Sequence, residues 1–333
     1  MVQYASQKTR MNFLIVGLGS AGQRHARVLR ALYPRSNIYV FRGTRFVGLI
    51  DKNLQNINLS IDPIFQYNLI LLEQLDQLNQ FFDLTVIATP ASSHLIYVEK
   101  LWNSSYRILI EKPLSNSLEE ISKLYKQAQY DNKIVYVGYQ HNFNPIFNKI
   151  ISIFNSYRHW HHLSCNFHES LHEMNVFRDM NSHHLADPNE GNAFLALSHE
   201  IDFVLKLLPG YWNKMECKLS SSGFFEGVLD EAKLEGIYEN DKYEIDVLVS
   251  LNFGNVCKSR EGILIGEDFV LKWDINNKTL NVNGTSENFD YDGDDLVSAE
   301  INFLLRKVDF DSDLKNSLIR AIKIVEINSL SKL

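Results

Sequence analysis

The chain has 333 residues, enough for two domains with cores of their own, and its 45% hydrophobic content is ordinary for a globular protein. A formal net charge of −7 gives no electrostatic reason to expect a nucleic-acid partner, and no apolar run reaches the length of a membrane span. The polar stretch Met1–Arg10 lacks the apolar centre of a secretion signal, and Cys165, Cys217 and Cys257 stand far apart without C-x-x-C spacing, so a cytoplasmic protein without disulfides or structural zinc is expected.

The first elements alternate in type. Asn12–Val16 and Asn37–Phe41 read as apolar strands around a helix over Gln23–Tyr33 that Pro34 stops. Arg45–Leu71 shows no clear periodicity. Leu84–Ala88 reads as a strand, Ser92–Trp102 as a helix, Arg107–Ile110 as a strand, Ser117–Tyr130 as a helix and Ile134–Val137 as a strand. Ser117 opens its helix, and Glu119 and Glu120 suit the positive end of the helix dipole. Repeated strand–helix units predict a parallel sheet covered by helices. From about residue 140 the pattern changes. Cys217–Ser221, Lys233–Tyr238, Tyr243–Asn252, Gly262–Ile265, Phe269–Trp273 and Thr279–Val282 alternate as strands do, with Asp-Gly and Asn-Gly turn signals nearby. Helical patterns run over Ala193–Leu208, Leu296–Val308 and Ser312–Leu330. The expected fold is α/β: a parallel-sheet domain over residues 1–138, then an α/β domain over 139–333 built on an open, mostly antiparallel sheet. The last helix is free to return to the first domain. The active site is expected in the cleft, beyond the carboxyl ends of the parallel strands.

The most informative segment is Phe13-Leu-Ile-Val-Gly17-Leu-Gly19-Ser20-Ala21-Gly22, an apolar strand ending in G-x-G-x-x-G before a helix. Gly17 permits the tight turn, Gly19 lets the backbone approach phosphates, and Gly22 lets helix and strand pack closely. The helix start then offers amide groups and partial positive charge to an anion, so residues 1–138 are expected to form a Rossmann dinucleotide-binding domain. A ligand-free glycine turn is the plain alternative.

Four other segments carry candidate chemistry. In Ala88-Thr89-Pro90-Ala-Ser-Ser-His94 a strand ends and polar residues open a helix, so Thr89 and His94 are candidates for the cofactor's ribose and phosphates; a capped helix start is the alternative. Glu111-Lys112-Pro113 follows a strand directly. Lys112 there can steer the reacting oxygen, with Glu111 orienting it or binding a ribose; a surface pair before a turn is the alternative. Gly138-Tyr-Gln140-His-Asn142-Phe-Asn-Pro145 stands at the domain junction, where Gln140 can touch the nicotinamide carboxamide or the substrate; a hinge is the alternative. In the stretch from Gly191 to Asp202, His199 and Asp202 are three apart and share a helix face. His199 there is a candidate general base toward a sugar hydroxyl, against a plain helix-face histidine. The histidines at 159, 161, 162, 183 and 184 lack the spacing of a metal site, and no metal is expected.

These segments, in this order, make the chain resemble the glucose-fructose oxidoreductase / inositol dehydrogenase (Gfo/Idh/MocA) family of NAD(P)-dependent oxidoreductases. The residues that carry the resemblance are Gly17 to His25, Ala88-Thr89-Pro90 with His94, Glu111-Lys112-Pro113, Gly138-Tyr139 and Ser198-His199-Glu200-Ile-Asp202. The form of the glycine loop is similar to a branch found in bacterial surface-sugar and sialic-acid-like gene sets. The resemblance implies Lys112 and His199 as catalytic residues. It implies a cofactor lined by Gly17, Gly19, Ser20, Ala21, Gly22, Thr89, Pro90, His94, Glu111, Lys112 and Gln140. It implies a sugar-type substrate near Lys112, Gln140, Asn142, His199 and Asp202, and a homo-oligomer, dimer or tetramer, assembled through the sheet. Three positions depart from the family pattern: Leu195 stands where relatives carry an aspartate four residues before the histidine, and the next residue, Ala196, is no acid either; Gly191-Asn192 replaces a Gly-Gly pair; and Asn142 replaces an arginine.

About twenty residues past the glycine loop, where an acid grips a ribose hydroxyl, the chain has Arg42, flanked by Phe41, Gly43, Thr44 and Arg45, with no carboxylate before Asp51. Two guanidinium groups suit a 2′-phosphate, so NADP is the expected cofactor and NAD the alternative. The expected function is hydride exchange between nicotinamide and a sugar or nucleotide-sugar hydroxyl or ketone. The alternatives are a cofactor-binding sensor or scaffold without turnover, which Leu195 favours, and a reductase of a non-sugar substrate such as an imine or a tetrapyrrole.

Overall fold

The computed structural model describes residues 10–43, 48–52, 56–58, 60–75, 80–157, 159–170, 192–223, 226–240 and 243–331, without the side chains of 56 and 255–257. The readings on Met1–Thr9, Thr44, Arg45, His183, His184, Gly191 and the Cys257 side chain lie outside the described residues. Contacts divide the chain into two units: Met1–Glu111, Leu124–Gly138 and Gly293–Lys315 form the first, and Lys112–Lys123, Tyr139–Asp292 and Asn316–Leu333 the second.

The first unit holds a six-stranded sheet. Its strands are β1 (Asn12–Val16), β2 (Asn37–Phe41), β5 (Ile70–Leu71), β6 (Leu84–Ile87), β7 (Arg107–Glu111) and β8 (Ile134–Gly138), in the order β5-β2-β1-β6-β7-β8. Every pairing is parallel. Phe13–Val16, Leu84, Val86, Ile87, Ile108–Ile110, Val135 and Val137 have no exposed surface, as expected where helices cover both faces. Each such side chain contributes about 1.5–3 kcal/mol of burial. Helix α1 (Ser20–Leu32) turns Ala26, Val28 and Leu29 inward and keeps Arg24, Arg27 and Arg30 partly exposed. The irregular stretch between β2 and β6 contains a two-stranded ribbon, β3 (Leu49–Ile50) with β4 (Asn56–Asn58), and a short helix α2 (Pro63–Gln66). These pieces are too short to show a period, which is why the sequence did not announce them. Helix α3 (His94–Leu101) follows β6, and α4 (Leu118–Tyr130) precedes β8.

A late helix, α8 (Gly293–Arg306), completes the first unit. Arg27 donates to both carboxylate oxygens of Asp294 in its first turn, at 2.6 and 2.7 Å, and this bond and charge raise the already high pKa of the guanidinium. Arg107 donates to the carbonyls of Leu304 and Lys307 at the other end, where a cation suits the negative pole of the helix.

The second unit carries an eight-stranded sheet with strands β9 (Trp160–Ser170), β10 (Trp212–Ser220), β11 (Glu231–Glu239), β12 (Glu244–Asn252), β13 (Gly254–Gly266), β14 (Val270–Asp274), β15 (Thr279–Val282) and β16 (Thr285–Asn288). The order is β10-β11-β12-β9-β13-β14-β15-β16. The sheet is antiparallel except between β12 and β9. The Asn-Gly signal is a hairpin turn between β15 and β16: Asn283 and Gly284 have φ of 48° and 89°, the left-handed values such a turn needs. Helices α5 (Pro145–Ser156), α6 (Ala193–Ala196), α7 (His199–Leu207) and α9 (Ser312–Ser329) accompany the sheet.

Three elements differ from the sequence reading. The helix expected over Ala193–Leu208 is two helices, broken at Leu197-Ser198. The Ala196 carbonyl, which an unbroken helix would pair with the amide of residue 200, accepts from Lys112 Nζ instead. Pro145 starts helix α5 rather than only shaping a hinge, because Asn144 caps it, accepting from the Ile146 amide at 2.9 Å. Strand β9 occupies the histidine-rich stretch: it was hidden because its alternation is carried by Trp160, Leu163, Cys165 and Phe167 among polar residues. Among the described residues no group of three His, Cys, Asp or Glu is placed to hold a metal, and no helix is long and apolar enough to cross a membrane.

Candidate active site

In the first unit the site begins at the glycine loop. Gly17 has φ of +94°, and a Cβ there would stand 2.5 Å from the Ala88 carbonyl oxygen and 3.1 Å from Thr89 Cγ2. A Cβ on Gly22 would overlap the carbonyl of Gly17. These two positions are closed by the protein's own backbone. Gly19 is the opposite case: nothing lies within 4 Å of where its Cβ would be. Gly19 is also the N-cap of α1, makes no side-chain cap bond, and is followed by no acidic residue in the first turn. The amides of Ser20, Ala21 and Gly22 therefore head a thirteen-residue helix beneath an open approach, the donor set a pyrophosphate requires. On these grounds a dinucleotide fits.

The surroundings hold this loop in place. The Gly17 amide donates to the Phe41 carbonyl at 2.8 Å, tying the turn to the end of β2. Buried Gln23 donates to the carbonyls of Leu18 and Gly48 and accepts from the Ile50 amide. Thr89 lies against Gly17 and accepts from Ser93 Oγ, while Pro90 is exposed. His94 is buried and its Nε2 donates to the Thr89 carbonyl at 2.7 Å, so its ring is turned toward the protein's own backbone. Arg42 donates from both terminal nitrogens to Asp62, at 3.0 and 2.7 Å.

At the end of β7, Glu111 accepts from Nε2 of the fully buried His25 at 2.8 Å. Beneath them lies Glu300 of α8, 1% exposed, with no hydrogen-bond partner for Oε1 among the described residues. Burial, and next the charge of Glu111, push the Glu300 carboxyl well above the usual range. Burial and the neighbouring carboxylate of Glu111 thus favour the protonated form of Glu300. Sequence reasoning missed Glu300, whose only signal is an acid on the inward stripe of an amphipathic helix.

In the second unit, Lys112 Nζ donates to the Ala196 carbonyl at 2.5 Å, three residues before His199 at the start of α7. The His199 ring is 8% exposed and meets Tyr139 edge-on at 5.8 Å and His141 at 4.8 Å between ring centres. Tyr139 is buried, and burial followed by the negative Asp202 raises its hydroxyl pKa. Asp202 accepts from Arg320 Nε at 2.6 Å and from Asn142 Nδ2 at 2.9 Å. His199 and Asp202 line one narrow crevice with His141, Asn142, Phe203 and Lys206. Gln140 is half-buried in the turn after β8. Leu195 is buried among apolar neighbours on α6, a different helix from His199.

Behind this face stands an ionic pair that the sequence did not reveal. Arg260 of β13 donates from Nε to Glu200 Oε1 at 2.5 Å and from Nη1 to His141 Nε2 at 2.8 Å, and it lies over the Phe167 ring at 4.2 Å. An arginine only donates, so Nε2 of His141 is the acceptor. Burial raises the Glu200 carboxyl, opposed by the charge of Arg260 and its bond. Glu200 entered the sequence reading only as part of the Ser-His-Glu-Ile-Asp motif. Its partner lies sixty positions away on a strand, beyond the reach of local spacing.

Residues 11–139 match the profile of the oxidoreductase family with the NAD-binding Rossmann fold, as the resemblance read from the sequence implies. The chain is 26% identical over 136 residues to 1-carboxy-3-chloro-3,4-dihydroxycyclohexa-1,5-diene dehydrogenase of Comamonas testosteroni, covering 40% of this chain and 33% of that protein. It is 27% identical over 136 residues to human biliverdin reductase A, covering 40% of each. The chain thus spans between a third and two-fifths of the curated relatives it matches. Over nearly its whole length it has the fold of UDP-N-acetylglucosamine 3-dehydrogenase GnnA from Acidithiobacillus ferrooxidans, with a TM-score of 0.72, 16% identity, and coverage of 97% of this chain and 98% of that one.

Proposed function

We propose, from the membership of residues 11–139 in the oxidoreductase family with the NAD-binding Rossmann fold, that this chain exchanges a hydride between a nicotinamide dinucleotide and a hydroxyl or ketone of a sugar or nucleotide sugar. The bound nicotinamide supplies the hydride chemistry. Gly17, Gly19, Ser20, Ala21 and Gly22 hold the pyrophosphate on the α1 amides, and Thr89 flanks it. Glu111 accepts a hydrogen bond from a ribose hydroxyl or orients Lys112, the next residue. The Lys112 ammonium donates to the reacting oxygen and offsets the negative charge that develops there. His199 takes the hydroxyl proton in oxidation and returns it in reduction. Asp202, paired with the Arg320 guanidinium and hydrogen-bonded by Asn142, holds the substrate side of α7 in place.

The observation that carries this reading is the bond from Lys112 to the Ala196 carbonyl, which brings the lysine to the start of the helix that bears His199. The sugar class draws on the whole-chain likeness to a protein described as a UDP-N-acetylglucosamine 3-dehydrogenase. The test is absorbance at the reduced-nicotinamide band with a panel of keto-sugars and sugar nucleotides. Turnover that disappears in Lys112→Met, with dinucleotide affinity retained, supports the enzyme. A second reading rests on Leu195: with no carboxylate there or at Ala196, a dinucleotide-binding sensor without turnover gives binding and no reaction across the whole panel.

A further inference from the structure

The end of β2 carries an arrangement the sequence does not show. Because the Phe41 carbonyl accepts from the Gly17 amide, the next residue, Arg42, leaves the sheet beside the glycine turn. That is where a dinucleotide-binding sheet reads the adenosine ribose. An arginine in that place, taken alone, suits a 2′-phosphate. Here its terminal nitrogens grip Asp62 Oδ1 at 3.0 Å and Oδ2 at 2.7 Å, a fork-to-fork pair. Asp62 is itself fixed. It is the N-cap of α2, Oδ1 also accepts from the Ile64 amide at 2.9 Å, and Pro63 stiffens the first helical position. Both side chains are about four-fifths buried, with exposures of 23% and 21%.

A 2′-phosphate brings close to two negative charges. Against this pair it meets a guanidinium already neutralised, with a fixed carboxylate alongside. A free 2′-hydroxyl is a donor, and a carboxylate is its natural acceptor. We propose that the Arg42–Asp62 pair is a specificity element that selects the dinucleotide with a free ribose 2′-hydroxyl, NAD(H), over its 2′-phosphorylated form. The acid comes from the cap of α2, about twenty residues beyond the strand end where sequence counting looks for it. This rests on the dinucleotide reading above and reverses the lean toward NADP that Arg42 gives in the sequence.

The experiment is titration calorimetry on the full chain with NAD+, NADP+, ADP and adenosine 2′,5′-bisphosphate, for the unaltered protein and for Asp62→Asn and Arg42→Ala. Asparagine caps a helix as well as aspartate, so Asp62→Asn keeps α2 while removing the charge. The unaltered chain is expected to bind NAD+ about tenfold more tightly than NADP+, and ADP more tightly than the bisphosphate. Asp62→Asn is expected to shrink that ratio about tenfold, mainly by tightening the phosphorylated ligands. Arg42→Ala is expected to weaken NADP+ further. A preference of the unaltered chain for NADP+, or a ratio unmoved in an Asp62→Asn protein of unchanged thermal stability, overturns this inference and leaves the dinucleotide site standing. Binding of neither dinucleotide overturns both.

Discussion

The glycine loop of the first unit and the His199 face of the second are built by different means. The loop works with backbone: a turn at Gly17, an open approach at Gly19 and the amides that start α1 come from six consecutive positions. The His199 face works with side chains brought from Lys112, from the turn after β8, from α7, from β13 and from α9, positions spread from Lys112 to Arg320. A backbone device is written locally and tolerates change around it. An assembled face depends on every element that delivers a side chain, so its failure spreads into stability.

The sharpest way to break this contrast is Lys112→Met. It is expected to cut turnover by about a thousandfold while dinucleotide affinity, read by quenching of protein fluorescence, changes less than about threefold. Equal loss of both would merge the two regions into one. Next in size is Arg260→Leu, which strands Glu200, 2% exposed, without its cation. A loss of about 3–5 kcal/mol in urea unfolding is expected, and the double change Arg260→Leu with Glu200→Gln should recover most of it. No recovery would mean that the cost lies in lost packing on Phe167 rather than in the unpaired charge.

Gly19→Ala tests the local side. Since open space surrounds the added methyl, thermal stability should hold, while dinucleotide affinity falls about tenfold or more. Unchanged affinity would remove the loop from the binding site. The smallest effect, read over a single pH unit, is expected at Glu300, whose carboxyl burial pushes well above the usual range. Below about pH 4.5, its ordinary value, both folded and unfolded chains hold the proton and nothing is lost. As pH rises, the unfolded chain releases it and the folded one keeps it, so stability drains by up to about 1.4 kcal/mol per pH unit until the folded group titrates. Glu300→Gln has no such drain. Its stability in urea should gain on that of the unaltered chain, by up to about 1.4 kcal/mol over the first pH unit above about pH 5, and a constant difference would show that the Glu300 carboxyl is not raised in the fold.

Much of the framework was legible in the sequence. The strands β1, β6, β7 and β8 are largely buried apolar runs, β2 alternates at the side of the sheet, and punctuated helices separate them, a pattern that burial writes directly. Strands β10, β11, β12 and β14 showed through alternation, since one face packs more than the other. Elements of two to four residues, such as β3, β5 and α2, carry no period, and β9 mixes histidines into its alternation. Lys112, His199 and Asp202 were legible as residue types after a strand or on a helix face. Arg260, Arg320 and Asp62 were not, because a single charge in a strand or loop looks like any solvated charge until its partner is known.

What the sequence alone determined is what short-range sterics decide: three glycines at fixed spacing between a buried strand and a helix, and the alternation of strands and helices that makes a parallel sheet. What only the tertiary structure decided is which charge meets which. Lys112 ends on the carbonyl of Ala196, Asp202 on Arg320, Glu200 on Arg260 and Arg42 on Asp62. The reason is range: a Cβ clash or an unpaired amide acts within a few residues, whereas an ion pair in a buried setting acts across whatever distance in sequence the packing has closed.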